Sequence, residues 1–216
     1  MGEMERYLRA TPTIDCDNEL IIETAGKQTR RQEKVADKAV SLFYFVRDTI
    51  KYNPYVITDV IERYRASRVL KEREGYCITK AILLVALARA AGIPARLHFA
   101  KIQNYLMSDK LLEVLGGITE ITAHGYSELY IDGRWVKATP AFDLKTCRGN
   151  QIIPVEFDGK NDAIFHSHDM DGRFHIEYIY DHGHFDDLPF DLVIELMTQG
   201  YGIDFSERMK RIVESR

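Results

Sequence analysis

Cys77 stands at the start of the most apolar segment of the chain, which runs from residue 77 to residue 91. This segment contains neither Gly nor Pro, and Gly92 and Pro94 then follow as residues that end a helix. A cysteine in the first turn of a helix lies at the positive end of the helix dipole, among free backbone N–H groups. Both favour the thiolate, which is the nucleophile. Cys77 is therefore a candidate nucleophile, with a small buried cysteine that packs like alanine as the alternative.

A nucleophilic cysteine needs a base, which is usually histidine. The chain has seven histidines. His124 differs from the others because it lies in a strand-like segment that leads to Asp132-Gly133, a strong signal for a two-residue hairpin. A strand is a rigid platform that could hold an imidazole against the start of a helix packed on the sheet. The alternative is a half-buried histidine that is hydrogen-bonded within the sheet.

Asp143 is the candidate for the third group, which fixes the imidazole tautomer. The second arm of the hairpin begins at residue 134 and returns beside His124, so a side chain between residues 139 and 143 could reach the ring. Asp143 is the only acid in that window. The residues therefore predict that Cys77, His124 and Asp143 act together, whereas the alternative for Asp143 is a loop aspartate that caps a turn.

If Cys77 attacks a carbonyl carbon, an oxyanion hole would also be needed to stabilise the tetrahedral intermediate. The backbone N–H of Cys77 is a natural first donor. Tyr52, Asn53 and Tyr76 are candidates for the second donor, and for each of them the alternative is a packing or turn residue.

The order of predicted elements indicates an α+β fold with an antiparallel sheet, because helices come first and strands later. Helical spacing and end signals predict helices over residues 33–51, 66–73, 77–91, 108–115 and from 188 or 189 to 198. Strand signals occur over residues 14–22, 95–103, 118–131, 134–138, 152–157 and 173–180.

Composition places the chain among globular proteins, with 216 residues, 45% of them hydrophobic. The net charge is −4, so the chain has no excess of basic residues that would indicate nucleic-acid binding. The chain has no apolar run of membrane-spanning length, and its first residues do not resemble a signal peptide. The three cysteines are widely spaced and odd in number, which fits a reducing cytoplasm. We therefore expect a single cytoplasmic domain over residues 1–216 that binds neither nucleic acid nor membranes.

Histidines two residues apart occur beside acids in the C-terminal third of the chain, at His166 and His168 and again at His182 and His184. Such pairs can converge on zinc. Neither a helical His-x-x-x-His pair nor paired cysteines accompany them, so turn and surface positions are the favoured interpretation. No metal or other cofactor is expected.

Two blocks of sequence together resemble the transglutaminase-like superfamily, in its bacterial or archaeal form. The first block comprises residues 66–70, 75–77 and 86–96, and the second, residues 124–136, is similar to the histidine strand and hairpin of that family. The resemblance covers roughly residues 40–145, and we expect the N- and C-terminal extensions to pack on this core. It implies a papain-like fold with a Cys-His-Asp triad whose thiolate attacks an amide carbonyl and forms a thioester.

The resemblance matches Cys77 to the nucleophile and His124 to the base, but the acid does not transfer directly. The family usually has Asp directly before a Pro at the place where this chain has Thr139 before Pro140. Three alternatives follow: Asp143 reaches back to orient His124, which we favour; Thr139 does so weakly; or the fold has lost its chemistry. The favoured function is acyl transfer on peptide or protein amides, to water as in a protease or to an amine as in a transglutaminase. The other function class is an inactive binding module.

Overall fold

The computed structural model describes residues 4–205, 207, 208 and 211. Its helices are α1 (Glu19–Thr29), α2 (Val35–Thr49), α3 (Ala66–Glu72), α4 (Cys77–Ala90), α5 (Asp109–Val114), α6 (Leu144–Gly149) and α7 (Phe190–Tyr201). Its strands are β1 (Lys51–Tyr52), β2 (Glu74–Gly75), β3 (Ala95–Asn104), β4 (Glu120–Ile131), β5 (Arg134–Ala138) and β6 (Ile176–Phe185). Short 3₁₀ helices cover Glu5–Leu8, Pro54–Val56 and Ile61–Tyr64.

Helix α4 forms the centre of the core because it is apolar on all sides, and every residue from Cys77 to Arg89 is buried. Helices α1, α2 and α3 contact it, as do strands β3 and β4. Its buried charge at Lys80 is satisfied by backbone carbonyls, since the ammonium donates to those of Arg47 at 3.0 Å and Ile50 at 2.6 Å. The central helix is thereby tied to the end of α2.

The main sheet has four antiparallel strands in the order β5-β4-β3-β6, which confirms the predicted α+β class. Asp132 and Gly133 join β4 to β5 with φ angles of 49° and 86°. Positive φ at both positions is what a type I′ hairpin turn requires, and Asp-Gly is a favoured pair there. A separate parallel pair joins β1 to β2.

The first turns of α4 pack directly on the middle of β4. A Cβ on Gly125 would lie 3.1 Å from the Cα of Ile78, so only glycine permits this approach without a shift. One turn later the Ser127 hydroxyl donates to the carbonyl of Ala81 at 3.1 Å. This packing brings the start of α4 against the strand that carries His124.

Most predicted elements are confirmed, and two strands are wrong. Residues 14–22 form a turn and the start of α1, where the Asn18 side chain caps the helix by accepting from the Leu20 N–H at 3.0 Å. Ile21 and Ala25 of α1 are buried, four residues apart, which is helical spacing. Residues 152–157 form no strand, and α6 was not predicted.

None of the helices in the described part of the chain is long and apolar enough to cross a membrane. Cys16, Cys77 and Cys147 are all buried and carry free thiols.

Candidate active site

Cys77 and His124 line one narrow cavity where α4 meets β4. Its volume is about 50 Å³, which is room for a few water molecules. Aromatic side chains dominate the wall around the two candidates, among them Tyr52, Phe142 and Phe165. Two groups that lie far apart along the chain therefore face the same small space.

A capping arrangement fixes the position of Cys77 as the first residue of α4. The N–H of Tyr76, the residue before it, donates to the Thr79 hydroxyl at 2.9 Å. A Cβ on Gly75 would lie 2.5 Å from that hydroxyl, so the cap requires glycine at this position. The turn at residues 75–76 thus fixes Cys77 at the N-terminus of α4.

Burial raises the pKa of the Cys77 thiol to about 11, although the backbone N–H groups of Gly125, Ile78 and Cys77 act to lower it. The backbone N–H groups at the helix start therefore favour the thiolate, as predicted. Removal of the sulfur from water disfavours the thiolate by more, so the net effect is a raised pKa. At neutral pH the resting side chain is a thiol. The effect of the Gly125 N–H on this pKa cannot be predicted from the sequence, because it depends on the packing of α4 against β4.

His124 is buried, and this burial lowers its pKa to about 3. Its ring lies 4.9 Å from that of Phe165 and 5.8 Å from that of Tyr126, measured between centroids. Within the described residues Nε2 has no hydrogen-bond partner. The imidazole is therefore neutral, with a nitrogen not engaged by another side chain. Among the described residues no hydrogen bond joins this ring to the Cys77 sulfur, and catalytic contacts often form only when substrate binds.

The low pKa of His124 predicts that stability depends on pH. An unfolded imidazole has a pKa of about 6.5, so between pH 6.5 and pH 3 the unfolded chain binds a proton that the folded chain does not. The stabilisation is complete above pH 6.5 and is lost as the pH falls. We expect the unfolding free energy to decrease by about 2 kcal/mol from pH 7 to pH 5 through this residue.

Urea unfolding at both pH values, for the wild type and for His124→Gln, measures this contribution. The variant should lose that part of the pH dependence, whatever its stability at pH 7. If the unfolding free energy changed by the same amount between the two pH values in the wild type and in His124→Gln, the imidazole would titrate normally in the folded chain.

Asp143 is the N-terminal cap of α6 and also holds β1. Its carboxylate accepts from the N–H of Tyr52 at 2.6 Å and from the N–H of Thr146 at 2.8 Å. Burial acts to raise its pKa, but these two N–H groups and the nearby Lys80 lower it overall. Among the described residues no hydrogen bond joins Asp143 to His124. The capping alternative thus has direct geometric support, and the orienting role stays a prediction.

Thr139 directly follows β5 and is buried. Ser127 pairs with Ala138, so Thr139 lies beside Tyr126 on the strand face that also carries His124. Its hydroxyl makes no hydrogen bond of regular geometry within the described residues, although the Tyr178 hydroxyl is near enough to interact with it. The position that usually holds an acid in the family is therefore occupied by a neutral side chain near His124.

Of the three candidates for the second oxyanion donor, Tyr52 is the best placed. Asn53 is engaged with Glu74 at 3.1 Å, and the Tyr76 hydroxyl bonds to that of Tyr64 at 3.0 Å. Tyr52 and Tyr76 both line the cavity, but the Tyr76 hydroxyl is already held by that of Tyr64. Burial, and after it the charge of a Cys77 thiolate, raise the pKa of the Tyr52 phenol.

The C-terminal histidines make separate contacts. The Ser167 hydroxyl and the His168 ring are 3.0 Å apart, and the His182 ring lies 3.0 Å from the Thr122 carbonyl oxygen. No group of three or more His, Cys, Asp or Glu side chains within the described ranges could hold a metal ion.

A solved structure has a similar fold. A proposed cysteine protease from Cytophaga hutchinsonii has a TM-score of 0.57 and 18% identity, and the match covers 89% of this chain and 50% of that protein. This chain thus spans half the length of the Cytophaga protein. The periplasmic domain of TgpA from Pseudomonas aeruginosa has a TM-score of 0.45 and 18% identity, over 63% of this chain and 46% of that domain. A proposed protease from Parabacteroides distasonis has a TM-score of 0.40 and 17% identity, over 59% of this chain and 26% of that protein.

No curated protein matches the chain in sequence. Residues 22–140 match the model of the transglutaminase-like superfamily core, which is more than half of the chain. The fold and the order of the cysteine and histidine segments agree with that match. The chain therefore belongs to the transglutaminase-like superfamily.

Proposed function

We propose that this chain transfers acyl groups from amide or peptide bonds through a thioester on Cys77, and that the usual acceptor is water. The observation that carries the proposal is the shared cavity, which is lined both by a thiol at a helix N-terminus and by a neutral buried imidazole. The free thiols of all three cysteines support a reducing compartment such as the cytoplasm.

In the first half of the reaction His124 acts as the base. Because the thiol and the imidazole are both neutral at rest, the proton moves from Cys77 to His124 as the sulfur attacks the carbonyl carbon. The tetrahedral intermediate then collapses, the C–N bond breaks, and His124 returns the proton to the leaving amine. The product is a thioester on Cys77 and a free amine.

In the second half, water or a second amine attacks the thioester. His124 accepts the proton of the attacking group, the C–S bond breaks, and the proton returns to the sulfur. Water yields a carboxylic acid and an amine acceptor yields a new amide.

The oxyanion of both tetrahedral intermediates would be stabilised by the backbone N–H of Cys77 and the phenol of Tyr52. Asp143 enters this scheme as a positioning residue, because its carboxylate holds the Tyr52 backbone at 2.6 Å. The Tyr52 ring also packs edge-on against Phe142, with centroids 4.7 Å apart. These contacts fix the phenol relative to Cys77.

Two substitutions separate this role of Asp143 from the predicted orientation of His124. Tyr52→Phe should lower kcat by about 10²–10³-fold, as expected for loss of one oxyanion donor. If Asp143 only positions Tyr52, Asp143→Asn should lower kcat to a smaller extent and leave the acidic limb of the pH–rate profile in place. If Asp143→Asn instead shifts that limb, the carboxylate acts on His124, as first predicted.

The acceptor is tested by incubating the chain with a mixture of peptide amides, with and without putrescine, and identifying products by mass spectrometry. Hydrolysis gives free acids in both reactions, whereas transglutaminase-type transfer gives putrescine adducts. Cys77→Ala serves as the blank. No product above that blank would reject acyl transfer.

The second candidate function is a binding module that keeps the fold without the chemistry. The observation that favours it is the absence, among the described residues, of a carboxylate hydrogen-bonded to His124. It predicts peptide binding that Cys77→Ala leaves unchanged, with no turnover of any amide.

A further inference from the structure

The cavity that Cys77 lines has an apolar end formed by four separate elements. Strands β3 and β4, helix α5 and helix α7 all contribute to it. The side chains of this apolar end are Ile102, Leu111, Leu115, Ile121 and Met197. The residues that line the whole cavity, within the described ranges, include no Asp, Glu, Lys or Arg.

Helix α7 is docked firmly enough to give this end a defined shape. The Tyr201 hydroxyl accepts from the Thr122 N–H of β4 at 3.0 Å. A Cβ on Gly200 would collide with the Thr122 methyl group, so the helix approaches the strand more closely than any other residue would permit. Met197 lies one turn before Tyr201 on the same helix and is buried. The wall that it forms is therefore part of the packed core.

The size of the cavity limits what it can accept. A water-sized group needs roughly 10–15 Å³ in the same measure, so the whole cavity of about 50 Å³, the part beside Cys77 and His124 included, accommodates at most about three to five such groups. This matches a branched aliphatic side chain and is too small for an indole. A charged side chain would lose its hydration there without gaining a partner, which is strongly unfavourable.

We propose that this apolar end is the subsite for the side chain of the residue that supplies the scissile carbonyl, and that it selects Val, Leu or Ile. The proposal rests on acyl transfer by Cys77, which lines the same cavity. Selection would follow from burial of the aliphatic group next to the reacting carbonyl, since each added methylene is worth roughly fourfold in affinity. A glutamine side chain would fit poorly in this subsite because its amide would be buried among apolar side chains.

The test measures covalent labelling of Cys77, so it does not depend on turnover. N-acetyl amino acid chloromethyl ketones with Ala, Leu, Gln or Asp side chains each form a thioether with the thiol. Labelling is followed by intact mass and peptide mapping, and each rate is divided by the rate of the same reagent with free cysteine. We expect the Leu reagent to label at least about tenfold faster than Ala, with Gln and Asp slower than Ala.

Two cavity variants should change this order in opposite directions. Met197→Ala enlarges the subsite and should favour a Phe reagent over Leu, whereas Leu111→Phe fills it and should favour Ala over Leu. Met170→Ala is the matched control, because Met170 is exposed and lies outside the cavity lining. Circular dichroism establishes that each variant is folded.

The outcomes separate this proposal from the proposed function. A Leu preference that the two cavity variants alter supports an apolar side-chain subsite beside Cys77, and if no amide is turned over, the proposed function fails while the pocket and its selectivity stand. Turnover of amides with equal labelling by all four reagents would overturn the subsite and leave acyl transfer in place. A Leu preference that survives in both folded variants would also overturn it, because the selectivity would then arise elsewhere.

Discussion

Cys77→Ala is expected to lower kcat/KM for amide hydrolysis by at least about 10³-fold, because loss of the nucleophile removes the covalent pathway. Cys147→Ala is the matched control. Both cysteines are buried, and burial raises the pKa of each thiol to about 11. They differ in place, since Cys147 lies on α6 and does not line the cavity. The control should retain wild-type activity.

Hydrolysis rates per folded molecule measure the difference, with the folded fraction taken from circular dichroism. Equal losses in the two variants would mean that removing a buried sulfur disturbs packing in general. If both variants kept wild-type activity, Cys77 would take no part in the reaction.

His124→Gln is expected to lower kcat by about 10²–10⁴-fold, the usual contribution of a general base. Glutamine keeps approximate size and polarity but does not accept the proton. His175→Gln is the control, because His175 is also buried, burial also lowers its pKa, and its ring nitrogens also have no hydrogen-bond partner within the described residues. It does not line the cavity.

The pH–rate profile of the wild type distinguishes the mechanism further. Burial lowers the pKa of His124 to about 3, so the base stays unprotonated well below pH 6.5, and the acidic limb of kcat/KM should lie below that value. An acidic limb near pH 6.5 would mean that the imidazole is solvated before chemistry. Equal activity losses in His124→Gln and His175→Gln would show that neither imidazole is the specific base.

The elements that carry the candidate nucleophile and base were predictable because their signals are local. The run of apolar residues that ends at Gly92 defines α4, and Asp132-Gly133 defines the hairpin that contains His124. The strand predicted over residues 14–22 failed because its apolar residues fit helical spacing equally well, and the Asn18 cap decided in favour of a helix.

The partners of the site residues were less predictable, because they are set by contacts between distant parts of the chain. Asp143 binds the backbone of Tyr52, 91 positions earlier, and no spacing rule indicates that pairing. The position of Cys77 in the sequence indicates that the helix N-terminus acts to lower the pKa of its thiol. The net pKa depends on how completely the folded core excludes water from the sulfur. The same holds for His124, whose low pKa arises from burial alone.

The most direct test of the account is to capture the thioester itself. The chain is mixed with a peptide amide that has Leu at the scissile carbonyl, quenched in acid within one turnover, digested and mapped by mass spectrometry. The account predicts that the peptide containing Cys77 gains the mass of the acyl group, that hydroxylamine removes it, and that Cys77→Ala shows none. Product formation with the acyl group on any other residue, or with no acylated peptide at any quench time, would contradict it.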